Sequence, residues 1–344
     1  MSKKISYLSI AFSPKSWLAW VKHWHSLPVL SWLAGAHYFR EGDYELASRH
    51  YLKGLRAHSR HRAASCARLD YAYCLYRLGK WMEAKEELQE LVCGDTKLKL
   101  AYLLLAKIEL LTSQPNSAIR VLESCLKFFP DDVQVITRLA HAMAEAGDIE
   151  DSFDYIRAML ARLKSRLPID DPQTTPVDTA ICTVELARGN LAYAQHLLSR
   201  VLAAENAPIE ASLLKAELLL QCARVVQARK LAVRVMYEAP RDPRAPLLIA
   251  RSYLSPPNLS EPTWAVQMAE IACRLTFWQN TKCMETLACA YKMAGREDSS
   301  ELLIERTMVL QQVKEINLET IKEIENSVKL LQDIDLVHTK VLIN

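Results

Sequence analysis

The sequence predicts an all-α chain built of helix–turn–helix units repeated along its length, and three observations carry that prediction. A turn residue (Gly42, Gly79, Ser113, Gly147, Gly189, Ala223, Gly295) recurs with a small residue five positions later: Ala47, Ala84, Ala118, Ser152, Ala194, Ala228 and Ser300. Thirteen positions after each turn stands an apolar residue, in order Leu55, Val92, Leu126, Leu160, Leu202, Met236 and Met308. Half the residues are apolar, only eight are Gly, and the β-branched alternation of strands is absent.

Each element has a physical reason. Two helices cross closely only where the contact residue is small, since a larger side chain would force them apart and open voids. In the first unit Ala34, Gly35 and Tyr38 precede the Gly42-Asp43 turn, and Ala47, Tyr51 and Gly54 follow it. The wide step from Ala223 to Gly295 spans two units, the hidden one marked by Ala250, Tyr253, Ala265, Ala269 and Cys273 around an insert with Pro256 and Pro257. Eight units result. Pro130 and Pro240 cannot continue a helix and separate neighbouring units. A single hairpin cannot bury its apolar face alone, so the units must stack.

A helix–turn–helix unit repeating about every 34 residues has the period of tetratricopeptide repeats. The chain resembles that family over residues 28–310, through Gly35, Tyr38, Ala47, Tyr51 and Gly54, then Ala106, Ala118 and Pro130, then Ala216, Ala228 and Pro240. The resemblance implies a right-handed superhelical solenoid of about eight repeats with N- and C-terminal capping helices. It also implies a concave groove, lined by the first helix of each pair, that holds a protein or peptide partner. In that register the groove is lined by Trp32, Arg40, Tyr73, Tyr76, Arg77, Lys107, Arg138 and His141, and further on by Glu217, Arg251, Lys282, Glu285 and Lys292. Aromatic and arginine side chains are the types that carry interface energy. The family's Lys/Asn clamp for a terminal carboxylate is missing, because Trp32, Leu33, Ala36, Leu69, Asp70 and Tyr73 occupy its positions.

The expected organisation is a basic N-terminal segment (1–27), four repeats (28–164), a Pro/Asp linker (165–176) acting as a flex point, four repeats (177–310), and a C-terminal capping helix and tail (311–344). The N-terminal segment carries Trp17, Trp20 and Trp24 on one helical face, with Lys15 and Lys22 beside or opposite. It reads either as a cap on the first repeat or as an interfacial helix on an anionic membrane surface. Up to residue 68, basic residues outnumber acidic ones by eight, while the whole chain carries +3. That basic end, with Arg56, Arg60 and Arg62, would meet anionic headgroups or nucleic-acid phosphates. Against nucleic acid stands the lack of any recognition-helix or zinc-finger unit. The C-terminal stripe from Ile316 to Ile334 either caps the last repeat or zips to a partner helix, and oligomeric state stays open.

Nine scattered cysteines without a CxxC pair fit reduced thiols in a cytosolic protein. No secretory signal and no apolar run of about 18 residues is present, so the expected location is cytoplasmic, with the N-terminus at the inner face of the membrane as a variant. Phosphate loops, Gly-x-Ser-x-Gly elbows and His-Glu-x-x-His motifs are absent. The expectation is a non-enzymatic scaffold or adaptor with no cofactor and no metal. Its alternatives are a nucleic-acid-binding regulator using residues 49–68 and an accessory subunit of a cell-envelope glycan complex.

Overall fold

In the computed structural model, residues 28–57, 63–94, 97–147, 150–168, 171–204, 207–255 and 261–312 are described. These residues are helical, with no strand among them. The helices are α1 (Pro28–Glu41), α2 (Tyr44–Ala57), α3 (Ala64–Arg77), α4 (Trp81–Cys93), α5 (Lys99–Leu111), α6 (Pro115–Leu126), α7 (Val133–Ala146) and α8 (Glu150–Arg166). There follow α9 (Thr174–Ala187), α10 (Leu191–Leu202), α11 (Ile209–Gln221), α12 (Val225–Glu238), α13 (Arg244–Leu254), α14 (Pro262–Leu275) and α15 (Thr281–Met293), then α16 over 297–312. Taken in pairs they make the eight expected hairpins.

Each turn assigned from the sequence adopts the left-handed backbone that lets a helix stop and reverse. Gly42, Gly79, Gly147, Gly189 and Gly295 have φ between 68° and 82°, and Ser113 and Ala223 reach 58° without the freedom of glycine. In most of them the next residue's N–H reaches back five positions, as Asp43 to Tyr38 (3.0 Å), Gln114 to Glu109 (2.8 Å) and Arg224 to Leu219 (2.8 Å). These bonds satisfy carbonyls that a helix end would otherwise leave unpaired. Five residues on, Ala47, Ala84, Ala118 and Ala194 are 0% exposed, and Ala265 holds the same place in the seventh hairpin. In the eighth, Ser300 is buried and its Oγ donates to the Ala288 carbonyl at 2.9 Å.

The chain divides into two compact units, Met1–Leu105 and Ala106–Asn344. The first holds α1 to α4. Its helices pack in sequence, α1 on α2, α2 on α3 and α3 on α4. The second forms two layers: α7, α9, α11, α13 and α15 pack successively on one another, and the intervening helices cover them. The connection expected as a flex point lies inside this second unit, and helices take up both its ends: Ser165 and Arg166 end α8, and Thr174 to Pro176 begin α9. Lys164 forms an ion pair with the buried Asp178 across it. Neighbouring Glu185, 1% exposed, accepts from Asn190 Nδ2 at 3.0 Å and meets Arg157 Nε at 3.2 Å, as buried carboxylates require.

Five cysteines, Cys74, Cys125, Cys182, Cys273 and Cys283, are buried, and none of the nine is disulfide-bonded. Burial pushes the thiols of Cys74, Cys182, Cys273 and Cys283 up to about 12. Among the described residues, no helix is long and apolar enough to cross a membrane.

Candidate functional site

The residues expected to line the groove are divided between the two units. In the first unit, α3 presents Tyr73, Tyr76 and Arg77 on one turn, each half-buried. Tyr73 lies 5.4 Å from Phe39 of α1, 6.2 Å from Tyr44 of α2 and 6.0 Å from Tyr76, ring centre to ring centre. Tyr76 stacks on Trp81 of α4, whose Nε1 donates to the Tyr76 carbonyl at 3.1 Å. Arg77 lies 4.5 Å from the Tyr44 ring centre, and its Nη1 donates to the Tyr73 hydroxyl at 3.2 Å. The cluster is rigid because each ring is wedged by another helix, and cation–π contact orients the guanidinium.

Trp32 does not belong to this surface. It is buried at 7% exposure against Gly54, where an added Cβ would come within 2.3 Å of the indole Nε1. The indole fills the gap that glycine leaves at the α1–α2 crossing, so Trp32 is a packing residue.

In the second unit the inner layer carries a ladder of opposite charges. Lys107 and Arg138 are exposed and His141 is half-buried. Beside His141, with Nε2 to Oε1 at 3.9 Å, stands Glu210 of α11. Arg244 of α13 donates to Glu210 at 2.5 Å and clasps Asp242 through Nε and Nη2 at 3.0 and 2.7 Å. Two turns further along the same helices, Arg251 meets Glu217 at 2.8 Å. Both pairs join residues 34 positions apart, the same register in successive repeats. Burial alone would raise the Glu210 and Asp242 carboxyls, but Arg244 outweighs it and both sit below their usual range. Glu210, Asp242 and Arg244 were not singled out from sequence. The signal was present as opposite charges one repeat apart.

His141 is pushed below its usual pKa, first by burial and then by Arg244 and Arg138, with Glu210 and Glu145 opposing. The folded state therefore binds fewer protons here than the unfolded chain. Stability is intact above the unfolded value of about 6.5 and falls as pH drops through it towards the folded value. His141→Gln is expected to flatten that acid-side loss. Urea unfolding midpoints of both proteins from about pH 7 down to about pH 5 check this.

Of the basic end, Arg56 is exposed, Arg49 pairs with Glu45 at 2.6 Å, and Arg68 pairs with Glu87 at 3.3 Å and with Glu90. Lys15, Trp17, Trp20, Lys22, Trp24, Arg60, Arg62 and the C-terminal stripe from Ile316 lie outside the described residues. Among the described residues, no three His, Cys, Asp or Glu side chains stand together as metal ligands.

No protein-family model matches the sequence, and a search of curated proteins finds no match either. Solved structures do match the fold. A tetratricopeptide repeat protein from Parabacteroides merdae aligns with TM-score 0.59 at 12% identity, over 76% of this chain and 98% of that one. Cut9 from the APC/C hetero-tetramer Cut9–Hcn1 aligns with TM-score 0.59 at 12% identity, over 83% of this chain and 59% of that one. A monomeric IFIT1 mutant solved with Gppp-AAAA aligns with TM-score 0.51 at 14% identity, over 82% and 69%. Eight registered hairpins and these alignments together give the chain the fold of a tetratricopeptide-repeat-like α-solenoid.

Proposed function

We propose that the protein is a scaffold that holds an extended segment of a partner protein against the inner layer of its repeats. The charge ladder on α7, α11 and α13 carries this reading, because it offers donors and acceptors in alternation at intervals of one repeat. A segment with charges of both signs would exchange with those pairs one for one. Taken by itself, the first unit offers the Tyr73, Tyr76 and Arg77 cluster, with the aromatic and arginine side chains that dominate protein interfaces. A cytoplasmic location fits this reading, and the basic N-terminal end, with Trp17, Trp20 and Trp24, would bring the complex to an anionic membrane surface.

A nucleic-acid ligand is the less favoured reading, although one fold neighbour was solved with Gppp-AAAA. Arg244, Arg251 and Lys282 each already face a carboxylate, which phosphates would have to displace. Arg49 and Arg68 of the basic patch are paired likewise.

The test is capture from the native cell with the full chain and with Arg138→Glu/Arg251→Glu as bait, read by quantitative mass spectrometry. A partner retained by the wild type should fall about tenfold or more with the variant, the scale of a hot-spot loss. If both baits retain the same proteins equally, or if the material retained is nuclease-sensitive, the reading fails.

A further inference from the structure

Within the second unit, the inner layer closes on itself through residues far apart in sequence. At the start of α15, Asn280 Nδ2 donates to the Leu111 carbonyl of α5 at 3.0 Å, across 169 positions. That carbonyl lies at a helix C-terminus, where no intrahelical donor remains. The other end of the same amide, Oδ1, accepts from Cys283 N at 3.0 Å and caps α15. Lys282 forms an ion pair with Glu145 of α7, across 137 positions, and its Nζ also reaches the Glu145 carbonyl at 3.5 Å. A stack in which each repeat touches only its neighbours requires none of these contacts.

The turn that delivers them is strained. Phe277 and Trp278, both bulky, have φ of 50° and 58° in succession, a region such side chains rarely occupy and one that persists only when surroundings impose it. Arg306 of α16 stands 5.6 Å from the Trp278 ring centre, adding to those surroundings.

We infer that Asn280 and Lys282 form a latch that shuts the inner layer of the second unit, and that its release admits the partner segment from the side. This deepens the scaffold reading and rests on it. The Lys282 and Glu145 side chains are 51% and 50% exposed, so their pairing is weak and screened by salt. With one neutral hydrogen bond beside it, the closure is poised to open without disturbing the buried core. Cys289, exposed and on the same face of α15 as Lys282 and Glu285, reports on access to that layer.

The latch can be read on the full-length chain with no partner present. A zero-length carbodiimide should join Lys282 to Glu145 at low salt, with the accessible Lys80–Glu83 pair as control. Asn280→Asp keeps the α15 cap but removes the donor to Leu111. It should lower the Lys282–Glu145 yield about fivefold, the weight of one hydrogen bond. Lys282→Glu should raise the rate at which a bulky maleimide modifies Cys289 relative to Cys93. Failure of the Lys282–Glu145 link while the control pair joins, or no change in yield and rate in the two variants, overturns the latch. A chain that passes both measurements yet captures no partner retires the scaffold reading and leaves the closure standing.

Discussion

Leu122→Ala is expected to destabilise the second unit by about 2–5 kcal/mol, whereas Ile304→Ala, at the equivalent position of the last hairpin, should cost under about 1 kcal/mol. Both residues stand nine positions after a turn. At that register Tyr51, Leu88, Leu122, Ile156, Leu198 and Ala232 are at most 2% exposed, but Ile304 is 41% exposed. Removing a side chain from a closed site loses its transfer free energy and leaves a cavity that the helices cannot fill. Removing one from a half-open site does neither in full. Urea unfolding followed by circular dichroism separates the cases, and equal losses at the two positions would contradict the packing.

Gly54→Val is expected to cost the first unit about 1–3 kcal/mol by overpacking. A Cβ there would lie 2.3 Å from Trp32 Nε1 and 2.6 Å from Cδ1. The indole is 7% exposed and has little room to withdraw. Helix propensity works against this cost, since glycine in a helix interior forfeits about 1 kcal/mol relative to alanine, so the clash must exceed that gain to show. Combined with Trp32→Leu, which vacates the contested space, the valine should lose much of its penalty. The expected coupling in a double-mutant cycle is about 0.5–3 kcal/mol. Strict additivity of the two substitutions would show that the glycine is not there for the indole.

The hairpins were legible because their determinants are local. Gly42, Gly147 and Gly295 mark where the chain must enter the left-handed region, and Ala47, Ala118 and Ala228 mark where two helices approach. Both constraints act over a single pair of helices, so they recur as a visible period. Ser113 and Ala223 carry the same backbone without glycine and were found only through that period. The candidate surface was harder to read. Trp32 has the composition of an interface residue, yet a glycine on the facing helix draws it inside. Arg244 carries no mark of its own in the sequence, because only folding brings Glu210 to the guanidinium that Asp242 also holds.

The sequence alone determined the helix class, the eight-unit period, the turn positions and the small crossing residues, since each depends on sterics between a helix and its immediate neighbour. The tertiary structure alone decided which charges pair across repeats and that α15 returns to α5 and α7. Those contacts depend on small rotations summed over several repeats, and no single stretch of sequence contains that sum.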